Sequence, residues 1–126
     1  MVRLGVCMGI EHARMLAKAG FDYIEPALNG IAALREEEYR SARAEIDAAG
    51  IACEAFNCML PGEIKVTGPE VNEGCVRKYL ALAFHRAAEL GGKTVVFGSG
   101  ASRAVPEGCS HAEAWRQLEH FLALAE

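Results

Sequence analysis

The chain has 126 residues, 52% of them hydrophobic and 24% charged, enough for one domain over residues 1–126 with a core of its own. Its formal net charge of −4 argues against a nucleic-acid-binding surface, and no apolar run is long enough to span a membrane. Cys7, Cys53, Cys58, Cys75 and Cys109 form no CxxC pair and no zinc-ligand spacing, so five free thiols, each a small buried hydrophobe, and a cytoplasmic setting are expected.

Met1 leads directly into a strand-like run with no signal-peptide pattern, and Arg3 to Cys7 reads as the first strand. Met15, Leu16 and Ala19 fall at helical spacing in a first helix from about Glu11, which Gly20 closes. Tyr23-Ile24-Glu25 is a second strand stopped by Pro26, and Asn29-Gly30 is a turn signal. The second helix runs from Glu36 to Ala49, with three glutamates on the positive end of its dipole, a stripe of Tyr39, Ala42, Ile46 and Ala49, and Gly50 as cap. Ile51 to Phe56 is the third strand. The loop from Asn57 to about Val71 is long for a compact domain, and such loops are often functional. A third helix from Glu73 to Leu90 has an apolar face of Val76, Leu80, Ala83, Phe84, Ala87 and Leu90.

The next stretch, GGKTVVFGSGASRAVPEGCS, is strand, polar loop and helix start. Thr94 to Phe97 is a β-branched, apolar run of strand length. Gly98-Ser99-Gly100 lets backbone N–H groups approach a ligand, and Arg103 brings a charged fork suited to carboxylate, phosphate or polyol oxygens. The same letters also describe an ordinary loop, and they match neither the dinucleotide nor the Walker fingerprint. Ser110 and Glu113 have capping-box spacing for a fourth helix, with Trp115, Leu118, Phe121 and Leu122 on one face. The chain therefore reads as an α/β protein of four successive βα units with parallel strands.

In parallel α/β folds ligands sit at the carboxyl ends of strands. That position singles out Glu25 and Asn57 together with Gly98, Ser99 and Arg103. Glu25 could bond ligand hydroxyls, serve as an acid–base group or be a salt-bridged strand end. Asn57 can both donate and accept. Arg103 could bind substrate or hold the long loop through Glu63 or Glu107, and Lys65 has a weaker version of the same ambiguity. The role of Glu54, within the third strand, stays open. His85 and His120 fall inside helices, His12 and His111 near helix starts, and no HExxH pair is present.

Three stretches, GFDYIEPALNGIAAL from Gly20, EAFNCMLPGEIKVTGPEV from Glu54 and AAELGGKTVVFGSGASRAVPEG from Ala87, together resemble the sugar phosphate isomerase/epimerase family, whose barrel is like that of xylose isomerase. The resemblance implies half of a (β/α)8 barrel, its amino-terminal four βα repeats. It implies an isomerase that epimerises ketoses or interconverts aldoses and ketoses, with a sugar or sugar phosphate as partner and one divalent metal (Mn, Mg, Co or Zn). In such epimerases the metal ligands and catalytic carboxylates lie mainly on strands five to eight, so no metal ligand, acid or base is carried over, and this chain alone is expected to bind no metal. The related barrel endonucleases place histidines where this chain has Asn57 and Gly98 or Ser99, which argues against a DNA-repair nuclease. A half barrel leaves its end strands unpaired, so a homo-oligomer formed through that surface is expected. A non-catalytic half-barrel scaffold that dimerises is the alternative, and an open-sheet nucleotide binder ranks last.

Overall fold

The computed structural model describes residues 1–126. In chain order it contains β1 (Gly5–Val6), a 3-10 turn (Ile10–His12), α1 (Ala13–Lys18), β2 (Tyr23–Ile24), α2 (Leu28–Ala33), α3 (Glu36–Ala49), β3 (Ala55–Phe56), α4 (Glu73–Glu89), β4 (Thr94–Val95), α5 (Gly100–Arg103) and α6 (His111–Ala125). β1 pairs with β2 and β3 with β4, both in parallel. Parallel bridges Tyr23↔Ala52 and Ala27↔Asn57 join the two pairs, so the strands follow one another in sequence order.

The ladders are shorter than the sequence suggests, and the seam between β2 and β3 shows why. Between its two bridges the β2 side advances four residues and the β3 side five (23 to 27 against 52 to 57). One residue bulges, and Pro26 has no N–H to donate. Asn57 N donates to Pro26 O at 3.2 Å, and Ile24 N to Ala52 O at 2.9 Å.

Alternation along the strands sorts their side chains into two faces. Ile24 and Phe56 are fully buried and join Val6, Val95 and Phe97 in the apolar layer beneath the helices. Tyr23, Glu25, Asn57 and Val96 fall on the other face, the first three half-buried and Val96 48% exposed. Gly5 leaves the space that the Tyr23 ring fills, so a side chain there would displace the ring. α1 packs on α3, and α2 on α4.

Two helices start as the sequence predicts. Ser110 Oγ accepts from Glu113 N at 3.1 Å, and Asn72 Oδ1 from Cys75 N at 3.0 Å. Gly50 closes α3 in the left-handed region, at φ 67°.

Three expectations fail. Of the five cysteines expected to be buried, only Cys53 is; Cys7, Cys58 and Cys75 are exposed and Cys109 is half-buried. Asn29-Gly30, read as a turn, lies inside α2. That helix is made by distant partners: Leu28 N and Asn29 N donate to Asn57 O and Cys58 O at 2.8 and 3.1 Å. Trp115 and Leu122, placed on the buried face of the last helix, are 63% and 48% exposed. α6 docks instead through Ala114 and Phe121, whose ring centroid lies 4.9 Å from that of Phe97.

Candidate functional site

The carboxyl ends of the four strands lie on one side, because all pairings are parallel. Glu25 directly follows β2 and is half-buried. Its N–H donates to Val6 O at 2.9 Å, while its carboxylate has no hydrogen-bond or ion-pair partner, so it is not a salt-bridged strand end. Asn57 directly follows β3, and its Nδ2 donates to Glu25 O at 3.1 Å. These two residues are therefore held together, and the Glu25 carboxylate has no partner within the chain.

Gly98 and Ser99 follow β4, and most of their polar groups are engaged within the chain. Ser99 Oγ accepts from Leu60 N at 2.9 Å, and Gly98 O accepts from Arg103 Nε at 2.6 Å. Ser99 sits in the left-handed region, at φ 33° and ψ 49°, as does Cys58 after β3, at φ 47°. Such conformations cost about 1–3 kcal/mol and cluster at functional sites. Arg103 is exposed and pairs with neither Glu63 nor Glu107. Its Nε bond to Gly98 leaves the two terminal nitrogens free.

The long loop is stitched to the segment around α5. Val66 N donates to Ser102 O at 3.0 Å, Ser102 Oγ to Pro61 O at 2.9 Å, Thr67 Oγ1 to Ala104 O at 2.9 Å and Lys65 Nζ to Ala101 O at 3.0 Å. Lys65 is thus a loop tether. Tyr79 OH fixes the near end of the loop at Met59 O, 2.6 Å away, and burial pushes its phenol up to about 12.

Glu54 belongs to the opposite end. Its carboxylate meets Lys93 Nζ at 2.8 Å and also Arg3, so it joins the amino ends of the strands. The Lys93 hydrogen bond, aided by the charges of Arg3 and Lys93, holds it below the usual carboxylate range. In barrels that end serves stability rather than chemistry.

Sequence reasoning missed Arg86. It is 5% exposed, and its Nη1 donates to the carbonyls of Ile31, Ala32 and Leu34 at 2.9, 3.2 and 2.7 Å. It lies over the Tyr39 ring, 4.6 Å from the centroid. Tyr39 OH donates to Glu89 Oε2 at 2.9 Å, and burial first, then this carboxylate, pushes its phenol up to about 12. The available signal was spacing: Arg86 stands three residues beyond Ala83 on the apolar stripe of α4. Also missed was a cavity of about 420 Å³ between the 3-10 turn, α2 and α3, with Ile10, Pro26 and Ile31 in its wall and Glu11, Glu38 and Glu45 around it.

No group of three or more His, Cys, Asp or Glu side chains could hold a metal ion. The residues present do not fit a metal centre.

Comparison with known proteins gives these positions a context. No curated protein matches the chain. A crystal structure of D-psicose 3-epimerase in the presence of D-fructose shares 14% identity and a TM-score of 0.70, over 98% of this chain and 48% of that one. The apo 3-keto-D-glucoside 4-epimerase YcjR from E. coli shares 14% identity and a TM-score of 0.69, over 98% and 50%. The chain thus spans about half the length of the solved structures it matches. At this identity the likeness speaks for the fold. The family described as xylose isomerase-like TIM barrel matches residues 13–125, and the chain belongs to that family.

Proposed function

We propose that the chain is the amino-terminal (βα)4 half of a sugar isomerase or epimerase barrel, a single domain working in the cytoplasm. Its substrate would be a small sugar or sugar phosphate, and its reaction proton transfer next to a carbonyl. The observation that carries this reading is the near-complete coverage of the chain by half of two sugar epimerases.

On this reading the chain supplies part of the pocket wall. The free Glu25 carboxylate accepts from substrate hydroxyls, the Asn57 amide oxygen stays available, and Arg103 offers its two free terminal nitrogens to a polyol or phosphate. Gly98 and Ser99 shape the loop that carries Arg103. A divalent metal belongs to the reading as the group that stabilises an enediolate-like oxygen. No step is assigned to it here, because these residues do not fit it.

The chain alone is then a sugar-binding half that does not turn sugar over. The test is titration of the 126-residue chain with ketoses, free and phosphorylated, followed by amide NMR, beside an epimerisation assay with manganese, magnesium, cobalt or zinc added. Shifts at Asn57, Ser99 and Arg103 that vanish in Glu25→Gln, without turnover, are expected. Shifts confined to other residues would remove the site, and metal-dependent epimerisation above background would remove the incomplete-enzyme reading.

A further inference from the structure

We propose that the cavity between the 3-10 turn, α2 and α3 is a binding site for a small amphipathic amine, its apolar body inside the cavity and its ammonium group at Glu11. The inference does not rest on the sugar reading.

The first observation is the size and place of the cavity. Its volume is about 420 Å³, within the range of small-molecule sites. Ile10, Pro26, Ile31 and Leu34 supply apolar wall. No residue of β1, α1, β4 or α6 lines it. Its walls come instead from the loops and helices that follow β1 and β2, and these are held by their neighbours: α3 packs on α1, and α2 on α4.

The second observation is a glycine whose own surroundings do not call for one. Gly30 lies inside α2 and lines the cavity. Glycine within a helix is disfavoured relative to alanine. Gly30 has no positive φ that would require it. Beyond its chain neighbours and its own helix backbone, a Cβ at this position would meet nothing within 4 Å. A side chain here would clash with no part of the protein and would only take up open space. A molecule seated in the cavity gives that space a use. Gly9, also on the wall, has ordinary extended backbone at φ −70° and ψ 154°. Its missing side chain leaves the room that the Glu11 carboxylate occupies.

The third observation is charge. The charged residues lining the cavity are Glu11, Glu38 and Glu45, with no lysine, arginine or histidine among the lining. Two of the three carboxylates are already answered. Arg35 donates to Glu38 from its backbone N–H and from Nη2, both at 2.8 Å. Arg14 donates to Glu45 from Nε at 2.6 Å and Nη2 at 3.1 Å. Glu11 has no such partner; the nearest cationic group is the His12 ring, with Nε2 at 3.5 Å. An anion would face three carboxylates, and a neutral apolar molecule would leave Glu11 unanswered. A single ammonium on an apolar body suits both the wall and the lip.

The test uses phenethylammonium as probe, with phenethyl alcohol and phenylacetate as its neutral and anionic counterparts. Each is titrated into the 126-residue chain and followed by amide NMR. Millimolar amine should give saturable shifts at Gly9, Glu11, Gly30 and Ile31, the alcohol should bind more weakly, and phenylacetate should leave these residues unmoved. Glu11→Gln should weaken the amine about five-fold, as for one exposed charge pair, and leave the alcohol unchanged. Gly30→Leu should fill the cavity and abolish binding of both, while the melting temperature holds or rises. Absence of saturable shifts at these four residues, equal affinity for amine and alcohol, or undiminished binding by Gly30→Leu would overturn the proposal. If Gly30→Leu does not fold, the comparison of amine and alcohol on the unaltered chain and on Glu11→Gln decides alone. A ketose that displaces the amine would make the cavity part of a sugar pocket and would overturn the assignment as well.

Discussion

Arg86 and Ser99 are the residues on which the site's framework depends most directly. Arg86 is a buried cation bonded to three carbonyls and stacked on Tyr39. Arg86→Met keeps much of the apolar stem but leaves the end of α2 without donors. Buried charge-assisted bonds lost in this way cost about 3 kcal/mol, and urea unfolding should show a loss of that size. Ser99 holds two opposed effects: a strained left-handed backbone and a hydroxyl that satisfies Leu60 N. Ser99→Ala keeps the strain and loses the acceptor, so a loss of about 1–2 kcal/mol is expected. Ser99→Gly loses the same acceptor but relaxes the backbone, and should be closer to the original stability. Equal losses in the two variants would show that the backbone there is not strained.

At the scale of elements, caps and stripes were legible where the causes were local. Ser110 and Glu113 announced α6, and Ser110→Ala should cost about 1 kcal/mol by denaturant unfolding. Val76, Leu80, Ala83, Ala87 and Leu90 of the predicted α4 face are all buried. Reading failed where a distant residue decides. Leu28–Ala33 is a helix because Asn57, Cys58 and Arg86 complete its ends, against the turn signal of Asn29-Gly30. Trp115 and Leu122 look like core by periodicity, but the helix docks through Ala114 and Phe121 and leaves both of them largely exposed. Of the candidate site, the positions of Glu25 and Asn57 were readable as strand ends, while the bond between them was not. Nor was the Arg103–Gly98 contact, which depends on the fold of a four-residue helix.

For the whole molecule, pH sets the working window. Burial raises Tyr39 and Tyr79 to about 12 from 10.0, and Cys53 to about 12 from 9.0. Each favours the folded state while protonated in both states, and that contribution is lost as pH climbs from the unfolded value towards 12. On the acid side, Glu54, Glu73 and Glu89 are held below 4.5 by hydrogen bonds to Lys93, His120 and Tyr39 respectively. Their contribution is present above 4.5 and is lost as pH falls through the lower folded values. Thermal melting across pH should give a plateau bounded by these two limbs. Tyr79→Phe should make the alkaline limb shallower and leave the acid one alone.

The tethering of α2 has a consequence for synthesis. The helix has six residues and no side-chain cap of its own, too short to persist alone. Its N–H partners come from the loop after β3, and its carbonyls wait for a side chain 52 to 55 residues further on. As the chain leaves the ribosome from its amino end, β1, α1 and β2 can emerge and meet while α2 has nothing to hold it. It must remain unformed until α4 has been translated, so the wall beside Glu25 is completed late and all at once, and a nascent chain stalled before Arg86 should be cut by protease at Leu28–Ala33 while one stalled well beyond it resists.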